Sequence, residues 1–197
     1  MIVAGLVLAA GLSRRMGRPK LLLAIRGRPV VRLAVEAVRA GGADPILVVV
    51  GHEREAVGAA LDGVDCRVVH NARPEAGQAE SIRTGVAALP AEADAVLIAL
   101  GDQPLLPPEV IPRLVTALAD TGRAIAAPRY LDGRGNPVLF ARAVFPELLA
   151  LAGDRGARAV VERDPARVAL VEIPRPMPPD LDTAEDYERL RAEAGEA

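Results

Sequence analysis

Several kinds of side chain are scarce in this chain of 197 residues, and each scarcity narrows what it can do. It has one cysteine, Cys66, which excludes an internal disulfide framework and a cysteine-built metal site. Cys66 reads as a small buried residue in a strand. There is no tryptophan and aromatics make up 2% of the chain, so a binding platform built by aromatic stacking is not expected. The two histidines, His52 and His70, lack metal-ligand spacing and read as ordinary loop or surface residues. No apolar run reaches the roughly 18 residues that span a bilayer. Met1 to Ala10 is apolar, but the basic residues Arg14 and Arg15 follow it instead of preceding it. It is therefore expected to be a first buried strand and not a signal peptide. A formal net charge of −2 offers no positive field for nucleic acid or an anionic membrane. A cytoplasmic protein with neither partner is expected. The last scarcity is the most specific. Of 24 basic residues only Lys20 is a lysine. A compact ammonium and a planar guanidinium are not interchangeable, so position 20 reads as one that needs a point charge.

Hydrophobic residues make up 51% of the chain and charged residues 25%, a composition suited to one globular α/β domain over residues 1–197. Strand and helix patterns alternate throughout. Apolar runs predict strands at 2–8, 45–50, 66–69, 93–100, 124–127, 137–140 and 168–173. Helices are predicted at 29–39, 52–61, 79–89, 107–120, 143–151, 157–163 and 183–193. In the first of these, Val30, Leu33, Ala34, Ala37 and Val38 share one face, and Gly41 and Gly42 end it. Residues 131–136 form a turn-rich loop, residues 174–179 a stiff link with four prolines, and Thr183 a plausible N-cap. The expected architecture is a Rossmann-like three-layer α/β/α domain with a mostly parallel sheet covered on both faces by helices. Ligands of such sheets sit at the carboxyl ends of the strands, which directs attention to the loops after Leu8 and Leu100.

The first of these loops reads LAAGLSRRMGRPK from Leu8 to Lys20. Gly11 and Gly17 permit positive φ and close backbone approach, and the N–H groups of such a loop can cradle phosphate oxygens. Arg15 and Lys20 add positive charge. The spelling fits neither G-x-G-x-x-G nor the P-loop. The second loop begins Gly101-Asp102-Gln103-Pro104, and a carboxylate at a strand end can hold Mg²⁺. A third stretch, DLDTAEDY at 180–187, concentrates acids. These acids suit the first turn of a helix capped by Thr183. In the fourth stretch, GQAESIR at 77–83, a helix N-terminus can face an anion, with Ser81 as a contact.

Taken together, these stretches resemble the nucleotidyltransferases that hand a nucleotide to molybdopterin, the MobA-like family. The Ala9-Ala10-Gly11 spelling is closer to the molybdenum cofactor cytidylyltransferase branch than to the guanylyltransferase branch. The resemblance runs over residues 6–189. It implies that Leu8, Ala9, Ala10, Gly11, Ser13, Arg15, Met16, Gly17, Lys20, Ser81 and Gly101 contact the nucleotide. It also implies that Arg15, Lys20 and Asp102 are catalytic and that Asp102 and Asp182 bind Mg²⁺, with Asp180 as runner-up to Asp182. The implied reaction takes CTP and molybdopterin to the cytosine dinucleotide cofactor, with a molybdoenzyme or its chaperone as recipient. Asn136 stands where the family often has histidine, and it cannot titrate near neutral pH. Residues 153–158 match a family stretch near the acceptor. GTP as donor, another phosphorylated acceptor, or a non-catalytic nucleotide-binding or cofactor-chaperone module are the alternatives.

Overall fold

The structure is a computed structural model that describes residues 1–11, 16–153 and 156–195. In chain order its elements are β1 (Val3–Ala9), β2 (Ala24–Ile25), β3 (Arg28–Pro29), α1 (Val30–Ala40), β4 (Ile46–Val50), α2 (Arg54–Ala60), β5 (Arg67–His70), α3 (Gln78–Ala87), β6 (Ala95–Leu100), α4 (Val110–Thr121), β7 (Ile125–Tyr130), β8 (Gly133–Arg134), β9 (Val138–Ala141), α5 (Phe145–Leu149), α6 (Arg158–Arg163), β10 (Val168–Glu172) and α7 (Ala184–Glu193).

The main sheet runs β10-β7-β9-β6-β1-β4-β5, with β8 beside β7. Neighbouring strands β5, β4, β1 and β6 are parallel, as are β7 and β10. Only β9, and the short β8, run against their neighbours. The central strands are apolar on both faces because both faces are covered. Alternation then sorts their side chains into two layers. Val7 and Ala9 of β1, Val48 and Val50 of β4, and Leu97 and Ala99 of β6 pack with Val31, Val35 and Val38 of α1 and Ile111 and Leu114 of α4. Leu6, Leu47, Val49, Val96 and Ile98 point the other way, against Ile82 and Val86 of α3, Leu148 of α5 and Val160 of α6. This is the expected α/β domain with a mostly parallel sheet.

The chain builds outward from β1 through β4 to β5, then returns to place β6 on the other side of β1. The order therefore reverses between β1 and β6, where a crevice opens at the carboxyl ends of the strands.

Three local expectations change. Cys66 lies just before β5, not within it, and is half-buried; burial pushes its thiol up. The helix expected at 107–120 starts at Val110, because Pro107 and Pro108 occupy the entry, where their carbonyls accept from Val110 and Ile111. The helix expected at 143–151 is a 3₁₀ turn, Arg142–Val144, followed by α5 with Pro146 in its first turn. The β2–β3 hairpin and β8 are two residues per strand and carry no periodicity to read. Among the described residues, no helix is long and apolar enough to cross a membrane.

Candidate active site at the carboxyl ends of β1 and β6

The site starts where two strands end side by side. Leu8 pairs with Leu100, and the Gly101 N–H donates to the Leu8 carbonyl at 2.9 Å. A Cβ on Gly101 would lie 3.0 Å from that carbonyl oxygen, so glycine lets the two strand ends stay in contact. The next residue, Asp102, is thereby delivered to the rim of the crevice. Its own carbonyl accepts from Leu181 N–H at 3.0 Å, which ties the C-terminal stretch beside it.

Lys20 reaches the same point from the third direction. It opens a 3₁₀ turn, Lys20–Leu22, anchored by the buried Leu21. Leu23 then bonds back to the Lys20 carbonyl and accepts from Val30 at the start of α1. Lys20 is only 8% exposed. Its Nζ donates to Asp102 Oδ2 at 2.6 Å and to Asp182 Oδ1 at 2.8 Å. Burial pulls the ammonium's pKa down, but Asp102 and then Asp182 more than offset this and hold it above its ordinary value. Lys20 is therefore charged at any physiological pH.

The C-terminal stretch is fixed by two further devices. Gln103, 2% exposed, donates from Nε2 to the Pro178 carbonyl at 3.2 Å. Thr183 and Asp186 form a reciprocal capping box at the start of α7, and Asp186 also accepts from the Asp182 N–H. Asp180 bonds with Gln103; burial first, then the Asp102 charge, raise its carboxyl to about 6.

On the opposite wall, α3 points its N-terminus at the crevice. Gly77, at φ 94°, makes the left-handed entry that a side chain would strain. Ser81, on the first turn, accepts from the buried Asn71 Nδ2 at 3.0 Å. Asn71 Oδ1 in turn accepts from Arg73 N–H, so the loop before α3 and the helix are locked together.

Two adjoining clefts result. One, of about 390 Å³, is lined by Leu8, Ala10, Gly11, Lys20, Ser81 and Asp102, among others. The other, of about 660 Å³, includes Arg134, Asn136, Arg158 and Met177. Leu8, Gln78 and Leu100 line both, so the clefts meet over the ends of β1 and β6. Arg134 and Arg158 both bond to Glu162 Oε1, at 3.4 and 2.6 Å.

Of the residues the sequence singled out, Leu8, Ala10, Gly11, Lys20, Ser81 and Asp102 share the smaller cleft. Ala9 faces a small neighbouring cavity with Gly51 and His52. Gly17 has the positive φ expected of it, 62°, but neither it, Met16 nor Gly101 lines the cleft. Ser13 and Arg15 lie outside the described residues, as do Asp154 and Arg155 of the 153–158 stretch. Arg83 is exposed and pairs with Glu80. His52 is exposed 3.8 Å from Glu75, and His70 ends β5 on the surface. Asn136 lines the larger cleft, and its carbonyl accepts from the Tyr130 hydroxyl, whose pKa burial pushes up to about 12. Sequence reading missed Asn71 and the tethering role of Gln103. Their partners lie 10 and 75 residues away, and the only trace of them is a polar residue shortly after an apolar run.

Two carboxylates, an ammonium, a helix N-terminus and glycine-bearing backbone around one crevice are a set of groups that binds a polyphosphate with a hard cation. Comparison with known proteins agrees. Residues 5–168 match the MobA-like NTP transferase domain. Nicotine blue oxidoreductase of Paenarthrobacter nicotinovorans is 33% identical over 95% of this chain and 96% of its own. The purine catabolism protein PucB of Bacillus subtilis is 32% identical over 95% of each. The crystal structure of Rv0371c of Mycobacterium tuberculosis in complex with manganese superposes with a TM-score of 0.81, at 34% identity over 98% of each chain. With the match spanning most of its length, the chain belongs to the MobA-like NTP transferase family and is a nucleotidyltransferase.

Proposed function

We propose that the protein transfers CMP from CTP to molybdenum-bearing molybdopterin, giving the cytosine dinucleotide and pyrophosphate. The observation that carries this reading is the meeting of two clefts over Leu8 and Leu100. One is walled by Lys20 and Asp102, the other by Arg134 and Arg158. A donor and an anionic acceptor can then face each other across one point. The Ala9-Ala10-Gly11 spelling supports cytidine as the donor base.

In this reading the triphosphate lies along the smaller cleft, near the N-terminus of α3 and Lys20, with Ala10 and Gly11 backbone beside the base and ribose. An oxygen anion of the acceptor's phosphate attacks the α-phosphorus in line. The bond to the bridging oxygen breaks as the new one forms, and pyrophosphate leaves with the electron pair. No covalent enzyme intermediate is required, so the protein's part is positioning and charge neutralisation. Asp102 and Asp182 would hold a divalent cation, Mg²⁺ in this reading. Their oxygens converge on one point, within 2.6 and 2.8 Å of a single atom, which fits a hard cation's donor set. The cation supplies neutralisation of phosphate charge. Lys20, with Arg15 five residues before it in the chain, offsets charge growing on the leaving pyrophosphate. The product would pass to a molybdoenzyme or its chaperone, in the cytoplasm.

Pyrophosphate release with Mg²⁺ and molybdopterin, compared across CTP, GTP, ATP and UTP, tests the reading. Strong preference for CTP supports it, and preference for another triphosphate moves the donor. Binding without release points to a binding module. The likeness to a protein named nicotine blue oxidoreductase favours a second reading, an oxidation–reduction in the same clefts. A redox change in a bound substrate without pyrophosphate release would favour it.

A further inference from the structure

The two carboxylates best placed for a cation already face one. Lys20 Nζ lies 2.6 Å from Asp102 Oδ2 and 2.8 Å from Asp182 Oδ1. Those oxygens belong to segments far apart in sequence, so their convergence on Lys20 is a product of the fold. Magnesium sits at about 2.0–2.1 Å from its oxygens. A metal bound to those same two oxygens would contend with the ammonium for them, and two positive charges so close together repel strongly. Metal and ammonium therefore exclude each other.

The surroundings give the ammonium somewhere to go. The Lys20 backbone is fixed by the 3₁₀ turn and by the buried Leu21, while the ammonium sits at the end of a four-carbon stem with rotatable bonds. Lys20 and Asp102 both line the open cleft, so the ammonium can leave the carboxylates without leaving the site. An anionic ligand in that cleft supplies the alternative partner.

We propose that Lys20 is a built-in counter-ion that occupies the cation seat of Asp102 and Asp182 until a polyphosphate draws it off. Metal then enters with the polyphosphate and not before it. The nucleotide-free protein keeps its carboxylate pair neutralised and binds free divalent cations weakly. This accounts for a lone lysine in a chain that elsewhere uses arginine. A compact ammonium fits between two carboxylates and can turn away, whereas a planar fork bonded to both is harder to release. The inference rests on Asp102 and Asp182 as cation ligands, and is independent of the identity of donor base and acceptor.

The single lysine makes the test direct. Protein labelled with ¹³C at lysine Cε gives one side-chain resonance, and that resonance belongs to Lys20. Magnesium alone should leave it in place, and magnesium with inorganic tripolyphosphate should move it. In parallel, Mn²⁺ titration followed by electron paramagnetic resonance, without nucleotide, should give at least about tenfold tighter binding to Lys20→Met than to the unaltered protein, the scale of removing a like charge at this range. The proposal is overturned if Mn²⁺ binds both proteins equally, or if Mg²⁺ alone moves the resonance as far as Mg²⁺ with tripolyphosphate. Should Lys20→Met fail to fold, the resonance of the unaltered protein decides alone. CTP-dependent pyrophosphate release on the same sample separates the two readings. Intact release with an overturning resonance result sinks the role of Lys20 and leaves the transferase reading standing.

Discussion

Among the described residues, two charge clusters of opposite sign border the adjoining clefts. At the smaller cleft one ammonium, Lys20, meets two carboxylates, Asp102 and Asp182. At the larger cleft one carboxylate, Glu162, meets two guanidiniums, Arg134 and Arg158. Counting these groups alone, the first cluster carries an excess negative charge and suits a cation, and the second an excess positive charge and suits an anion. Burial differs most between one member of each. The Lys20 side chain is 10% exposed, whereas that of Arg158 is 75% exposed. Charges withdrawn from water interact strongly and tolerate little change, while exposed pairs are screened and contribute little to stability. The comparison teaches that the first cluster is a precise device and the second an adaptable surface.

Substitutions should separate the two clusters, and the largest effect belongs to the buried one. Lys20→Ala and Asp102→Asn should each lower turnover at least about 100-fold, the scale of losing one charge-stabilising group in a closed site. Lys20→Arg should not restore it, because a planar fork bonded to both carboxylates is harder to release. Steady-state pyrophosphate release checks all three variants.

Next comes the contact that brings the buried cluster into place. Gly101→Ala puts a methyl 3.0 Å from the Leu8 carbonyl oxygen. The expected loss is about 1–3 kcal/mol, typical of overpacking, measured by urea unfolding. The same variant should lose activity beyond its loss of stability, since Asp102 moves with the strand end.

A smaller effect is expected at the cap that orients Asp182. Thr183→Ala removes the side-chain half of the capping box and should cost about 1 kcal/mol. This cap also sets a pH dependence. Partial burial acts to raise the Asp186 carboxyl, but the bonds from the Thr183 hydroxyl and from the Thr183 and Asp182 N–H groups prevail and hold it below its usual range. A carboxyl depressed on folding stabilises the protein fully above the unfolded value, near 4, and loses that contribution as pH falls through the lower folded value. Thermal unfolding of Thr183→Ala should therefore depend less on pH on that acid limb than unfolding of the unaltered protein.

The smallest effect is expected at the exposed cluster. Arg158→Gln should leave melting temperature and kcat unchanged and raise only the KM for the acceptor, by several-fold. A large loss of kcat there would erase the distinction between the two clusters.

Legibility from sequence follows the same division between local and distant causes. Strands β1, β4 and β6 were readable because each is an apolar run buried on both faces, and the loops at their ends followed. Lys20 stood out as the only lysine, and Asp102 as a carboxylate directly after a strand. The sequence left hidden that these two residues and Asp182 touch, since the bonds span 82 and 162 residues. Read singly they take separate jobs, phosphate for the lysine and metal for the acids, whereas the fold gathers them into one group. The reversed direction of β9 was equally hidden, because a four-residue apolar run carries no sign of which way it lies. Gln103 and Asn71 act through partners set by tertiary packing, and polar residues after a strand are too common to distinguish.

The central claim is that nucleotidyl transfer depends on the carboxylates gathered around Lys20. Its most direct test is pyrophosphate release from CTP with Mg²⁺ and molybdopterin, measured on the unaltered protein and on Asp102→Asn and Asp182→Asn. The account predicts release by the unaltered protein and a loss of at least about 100-fold in Asp102→Asn, with Asp182→Asn also impaired. Release at the unaltered rate by both variants would contradict it.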